Sequence, residues 1–326
     1  MTPKKVGFLA GGNCHALAIA RHFAAQGINC FGIGRGPEKA KPLWLAPDGY
    51  RYYRAHIGEQ MAEVMRVLDD ERPDTLICLA AQGEGAASFG SDSWRFYQTN
   101  CVYLAQITEQ LRCRDYPQRF VHIGTSELYG SVDAPAAETA PIRASSPYSI
   151  SKAAFDAHLE VLHRVHGFPM NIIRPSNCIT AGQQLHRIVP RAAICAVYGQ
   201  QRLELQGAGL AEKSYLDTED LARGILAVLE RGDLGATYNC GPQAPVTIRY
   251  LVDLVAAQAR VPFDSFLTVV PARQGEDSRY WLDSTKLRAL GWEPKIALHD
   301  AVQRVVKWAR AYPELATMPW KYEVTP

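Results

Sequence analysis

The chain has 326 residues, 47% of them hydrophobic and 21% charged, which suffices for a large core in one domain or two closely packed ones. A formal net charge of +2, with acids and bases interspersed, excludes a basic nucleic-acid footprint and a cationic membrane-surface helix, so a small molecule is the expected partner. No apolar run reaches the roughly 18 residues of a membrane span, and the scattered cysteines, none in a C-x-x-C pair, predict buried thiols in a reducing, cytoplasmic setting, with no disulfide framework and no metal site.

Along the chain, short apolar runs alternate with stretches of helical period: VGFLA then CHALAIARHFAAQ, INCFGIG, YYRAHI, MAEVMRVLDDE, TLICLAA, SWRFYQTNCVYLAQITEQL, RFVHIGT, a helix around Tyr148, and MNIIRPS. The first run breaks at Gly11-Gly12 and reads as a buried strand, not a signal segment. Continuous apolar strands separated by helices predict an α/β fold with a doubly wound parallel, Rossmann-type sheet. Beyond residue 176, helical periods mix with short strands such as RLELQ, ATYNCG and FLTVV, which predicts a smaller mixed α/β cap. The expected division is 1–175 with 217–243 for a dinucleotide-binding part, and 176–216 with 244–326 for the cap, packed together without a linker.

A strand, glycines and a helix near the start suit a pyrophosphate site, because glycines let the backbone approach and a helix N-terminus favours anions. Anchored on the helix end at Gly27, the three usual glycine positions hold Ala10, Asn13 and Ala16, with Gly11 and Gly12 between the first two. Gly11, Gly12, Asn13 and Cys14 are therefore the expected phosphate turn. After the second strand, Gly34 stands where an acid would bind a ribose 2′-hydroxyl, and Arg35 where a 2′-phosphate would lie. That predicts NADP in preference to NAD.

Tyr148 and Lys152 form a Y-x-x-x-K pair, but fifteen tyrosines and ten lysines in 326 residues give about half an occurrence by chance. Context raises its weight. Pro147 and the preceding serines suit a helix start and Gly167 its end, while Ile150, Ala154, Ala157, Val161 and Val165 make an apolar stripe on another face. One turn apart, the Lys152 ammonium can stabilise a Tyr148 phenolate and make it a usable base. The strand RFVHIGT delivers Thr125, Ser126 and Glu127 to the sheet edge where parallel folds bind ligands.

With these residues the sequence resembles the NDP-sugar 4,6-dehydratases of the extended short-chain dehydrogenase/reductase family, and HIGTSELYG with SPYSISK is most similar to the GDP-mannose 4,6-dehydratase pattern. The resemblance implies a nicotinamide cofactor lined also by Ala80, Ala81 and His56, the last replacing a usual Asp. It implies a sugar nucleotide held by Ser88, Asn177, Lys213 in place of an Arg, and Arg279, with Gly83, Glu84 and Gly85 replacing bulkier residues beside the sugar. Implied roles are Tyr148 as base at the C4 hydroxyl, Lys152 tuning it, Thr125 bonding the same oxygen, and Glu127 as base at C5 and acid at the C6 hydroxyl, since Ser126 is a poor acid. A homodimer through the helix at 93–112 and the Tyr148 helix is also implied. A 4-keto reductase or epimerase on the same scaffold, and a non-catalytic nucleotide-binding protein, are the alternatives that these residues leave open.

Overall fold

The computed structural model describes residues 2–38, 41–83, 86–272, 277–320 and 324. The first half runs β1 (Lys5–Leu9), α1 (Cys14–Ala24), β2 (Asn29–Gly34), β3 (Arg51–Arg54), α2 (Met61–Glu71), β4 (Thr75–Cys78), α3 (Trp94–Tyr97), a π turn (Gln98–Tyr103), α4 (Leu104–Leu111), β5 (Arg119–Ile123), α5 (Pro147–His166) and β6 (Met170–Pro175). The second half holds β7 (Asn177–Ile179), α6 (Ile188–Tyr198), β8 (Leu203–Gln206), β9 (Glu212–Lys213), β10 (Tyr215–Asp217), α7 (Thr218–Arg231), β11 (Thr237–Cys240), β12 (Val246–Thr247), α8 (Ile248–Ala259), β13 (Leu267–Val270), β14 (Arg279–Tyr280), α9 (Thr285–Arg288) and α10 (Leu298–Ala311).

Seven strands form one sheet in the order β11-β6-β5-β4-β1-β2-β3, every neighbouring pair parallel. Such a sheet must be covered on both faces. On one side α1 and α7 pack over Val6, Phe8 and Tyr238; on the other α2, α4 and α5 pack over Leu9, Leu76 and Phe120. The α/β doubly wound reading is thus the observed architecture. A separate core gathers α6, α8 and α10 with β8 and β13, which is the cap. Leu287 and Trp292, late in the chain, pack with α7 in the core of the main sheet.

Helix α5 begins and ends where its residues dictate. Ser146 accepts from Ser149 N and Ser149 answers back to Ser146 N, with Pro147 in the first turn; Gly167 then closes the helix at φ +67. Its buried face carries Ser151, Lys152, Phe155, Asp156, Leu159 and Leu162. The apolar stripe instead faces outward, with Ile150, Val161 and Val165 44–61% exposed.

The crossover from β2 to β3 has no helix among its described residues. Tyr50, Tyr52 and Trp44 fill the space: Tyr50 donates to Gly11 O at 2.9 Å and Tyr52 to Gly36 O at 2.8 Å, and the Trp44 ring meets Tyr52 edge-on. This strap also grips the cap. Trp308 Nε1 of α10 donates to Pro42 O at 3.0 Å, Arg21 donates to Leu45 O, and Leu43 and Leu45 pack on the cap core.

Candidate active site

The C-terminal ends of β1, β4, β5 and β6 open beneath the cap into one cavity of about 1300 Å³. That exceeds the usual 300–1,000 Å³ of a pocket for one small molecule. Its walls run from Asn13 and Arg35, through Ala81 and Gln82, to Thr125, Ser126, Glu127, Tyr148 and Lys152, and on to Asn177, Lys213 and Tyr280 of the cap. Members of both expected sets, Thr125, Glu127, Tyr148 and Lys152 from one and Asn177 and Lys213 from the other, therefore share a single chamber.

Each chemical group is held by local structure. Thr125 caps the short turn Ser126–Tyr129, its Oγ1 accepting from Glu127 N at 3.2 Å, so its own O–H is left to donate elsewhere. Lys152 is 1% exposed, and its Nζ donates to Ile123 O at 2.8 Å; burial pulls its ammonium below the ordinary lysine value. Phe96 meets the Tyr148 ring edge-on. Ser151 donates to Tyr148 O at 2.7 Å and accepts from Asn100 Nδ2 at 3.0 Å.

In the turn after β1, the glycines also serve packing between elements. A Cβ on Gly11 would lie 2.3 Å from Gly32 Cα, so that glycine serves the close approach of β1 and β2. Gly12 abuts Trp44 and Tyr52, and Cys14 is buried, bonding Asn13 and Gln184. Of the expected phosphate turn, Asn13 lines the cavity; it also caps α1 by accepting from His15 N at 2.8 Å. A cavity bounded by Asn13, Arg35 and Lys152 along its length has the donors and the reach for a dinucleotide.

His56, Ala80 and Ser88 lie outside the cavity lining. His56 Nδ1 accepts from Gly58 N and Glu59 N, while Ala80 and Ser88 are buried. Arg279 also turns away, pairing with Glu212, whereas Tyr280, next on β14, lines the chamber. Lys213 donates to Asp277 O and sits 3.6 Å over the Tyr280 ring. Gly83 lines the cavity; Glu84 and Gly85 lie outside the described residues.

Several lining residues escaped the sequence reading. Arg187 and Arg191 on the cap side bring positive charge, Arg187 donating to Gly83 O. His15 bonds Thr218 Oγ1 at 2.8 Å, and burial with the charge of Arg187 lowers its pKa to about 4. The string QQLHRIVPR just past Asn177, polar and basic before an apolar helix, was the available signal.

A profile of the NAD dependent epimerase/dehydratase family matches residues 16–241. The dTDP-glucose 4,6-dehydratase of Streptomyces griseus is 34% identical over 261 residues, 79% of this chain and 77% of that protein. The trifunctional UDP-glucose 4,6-dehydratase/UDP-4-keto-6-deoxy-D-glucose 3,5-epimerase/UDP-4-keto-L-rhamnose-reductase of Arabidopsis thaliana is 29% identical over 76% of this chain, which spans only 38% of that relative's length. Among solved structures, dTDP-glucose 4,6-dehydratase from Streptomyces venezuelae with NAD bound superposes with a TM-score of 0.86 at 26% identity, covering 94% of this chain and 97% of that one.

Proposed function

The chain belongs to the NAD dependent epimerase/dehydratase family, and on that footing we propose that it is an NDP-sugar 4,6-dehydratase, converting a nucleoside-diphosphate hexose to its 4-keto-6-deoxy form with no net redox change. One observation carries the reading: Thr125, Glu127, Tyr148 and Lys152 line the same cavity as Asn177 and Lys213. An oxidation pair, an elimination carboxylate and a nucleotide grip are all within reach of one bound sugar.

Asn13, Arg35 and Lys152 would hold a nicotinamide dinucleotide, which would supply the hydride exchange that the redox-neutral cycle needs. Tyr148 takes the C4 hydroxyl proton, and the Lys152 ammonium favours the phenolate that can do so. Thr125 donates to the same oxygen as it becomes a ketone. The ketone acidifies the C5 hydrogen, which Glu127 removes; that proton passes to the C6 hydroxyl, which departs as water, and C5 regains a proton as C6 is reduced, balancing the one taken from the C4 hydroxyl. Ser126 is buried beside them and is too weak an acid for that transfer.

Arg35, exposed at the end of β2, supports NADP, although the Streptomyces venezuelae relative binds NAD. The outward stripe of α5, with Trp94 and Val102 about half exposed nearby, supports a homodimer through these helices. The cysteines are free, and no described helix is long and apolar enough to cross a membrane; the free thiols support a cytoplasmic setting.

The test is Glu127→Gln with a panel of NDP-hexoses. A dehydratase retains C4 oxidation, seen as reduced nicotinamide absorbance, and loses water release by a factor on the order of 10²–10⁴. Dehydration that survives the substitution removes Glu127 from its role. A 4-keto reductase or epimerase would instead keep most of its turnover.

A further inference from the structure

Asp156 lies one turn beyond Lys152 on the buried face of α5, and each is 1% exposed. Its Oδ2 accepts from Arg174 Nε of β6 at 2.9 Å. Its Oδ1 has no hydrogen-bond partner and stands 3.5 Å from His122 Nε2 of β5. A buried carboxylate oxygen without a hydrogen bond is costly unless charge compensates it. His122 does not supply that charge: burial, reinforced by Lys152 and Arg174, holds its imidazole well below the ordinary value and neutral.

Burial pushes the Asp156 carboxyl up, with Glu160 of α5 adding to it, while Arg174 and Lys152 pull it down. Cys78 of β4 and Asp156, one turn along α5, act on Lys152 against the effect of burial and raise it. Burial pushes the Cys78 thiol up to about 11, so it is neutral, whereas Asp156, paired with Arg174 at 2.9 Å, brings a carboxylate to the same buried face as the ammonium. Arg174 continues the chain of contacts, donating to Tyr129 Oη at 2.9 Å. Tyr129 ends the turn that carries Glu127 and donates to Asn239 at 3.0 Å.

We infer that Asp156 is a positioning residue for proton transfer at Tyr148: it keeps the buried Lys152 charged, while Arg174 and Tyr129 tie the same carboxylate to the Glu127 turn. The inference rests on Tyr148 being the base proposed above. One buried strut would then serve both halves of the reaction, the oxidation at C4 and the elimination at C5 and C6.

The test reads Tyr148 directly, without substrate. Tyrosinate absorbance is titrated in the wild type and Tyr148→Phe, whose difference isolates Tyr148, and again in Asp156→Asn and Asp156→Asn/Tyr148→Phe. Without the Asp156 charge Lys152 gives up its proton at lower pH, and loss of that ammonium moves the Tyr148 ionisation upward by about one pH unit or more, the acidic limb of the turnover profile moving with it. Because Asp156→Asn leaves Arg174 unpaired and can impair folding, Asp156→Asn/Arg174→Gln, verified by circular dichroism, repeats the measurement with both charges gone. A Tyr148 ionisation that stays put in a folded variant overturns the inference, since a merely structural loss lowers turnover without moving it. A wild type that turns over no NDP-hexose but shows the shift overturns the proposed reaction and leaves the Asp156 coupling standing.

Discussion

The side chain of Asn100 forms a two-way bond with the backbone of Gln82: Oδ1 accepts from Gln82 N at 2.7 Å and Nδ2 donates to Gln82 O at 3.1 Å. Asn100 is wholly buried in the π turn, an irregularity that recurs at functional sites. Through Ser151 it reaches the backbone of Tyr148. Asn100→Ala strands the Gln82 amide and carbonyl, so stability falls by about 2–4 kcal/mol. Urea unfolding measures that loss, and calorimetry with NADP and NAD shows weaker binding, because Gln82 lines the cavity. Unchanged unfolding would mean that the π turn repacks around the gap.

Lys213 and Arg279 separate cleanly under mutation. Lys213 lines the chamber and Arg279 is paired with Glu212 outside it. Lys213→Met therefore raises the KM for an NDP-hexose about 10–100-fold, the worth of one charge-assisted bond. Arg279→Met changes it less than about threefold, the scale of a surface ion pair. Steady-state kinetics decide, and equal losses would place Arg279 at the diphosphate.

Arg35 tests the cofactor. Arg35→Ser weakens NADP binding by about tenfold or more through loss of a charged phosphate contact, and leaves NAD binding within about twofold. Calorimetry on both variants gives the answer; identical NAD and NADP affinities in the wild type would refute the role.

His15 sets an acid limit. Its folded pKa near 4 lies below the unfolded value of 6.5, so the unfolded chain binds the proton first. The contribution to stability is complete above pH 6.5 and is lost as pH falls from 6.5 toward 4, to the extent of about 3 kcal/mol. His15→Gln, which keeps a donor and acceptor, flattens that part of the curve. A wild-type-minus-variant difference that stays constant over the window sinks the assignment.

The sheet and α5 were legible because their signals are local: apolar runs of strand length, Ser146 and Pro147 at one end of the helix, Gly167 at the other. The candidate catalytic side chains were legible for the same reason, riding on the ends of β5 and on α5. What could not be read depends on partners distant in sequence. The stripe of α5 has a helical period, but period alone does not say whether a face meets the core or solvent, and here it meets solvent. The sequence alone does not reveal that Gly11 is also required by the close approach of Gly32 and Tyr50. Tyr280 lines the chamber and Arg279 does not, because neighbours on a strand point to opposite faces, and which one points inward is set by pairing with β9. Asn100 sat inside an apolar helical run with no mark of its π turn.

The strap between β2 and β3 bears on how this protein can be engineered. Surface connections are usually where chains accept cuts, tags or inserted residues, and a crossover with no helix among its described residues invites such use. This one is held by Trp308, Arg21 and Tyr50 contacts at once. An insertion near Pro42 or Leu45 would release the cap, the first helix and the strand edge together, so it behaves as a mechanical keystone and is the wrong place for a label.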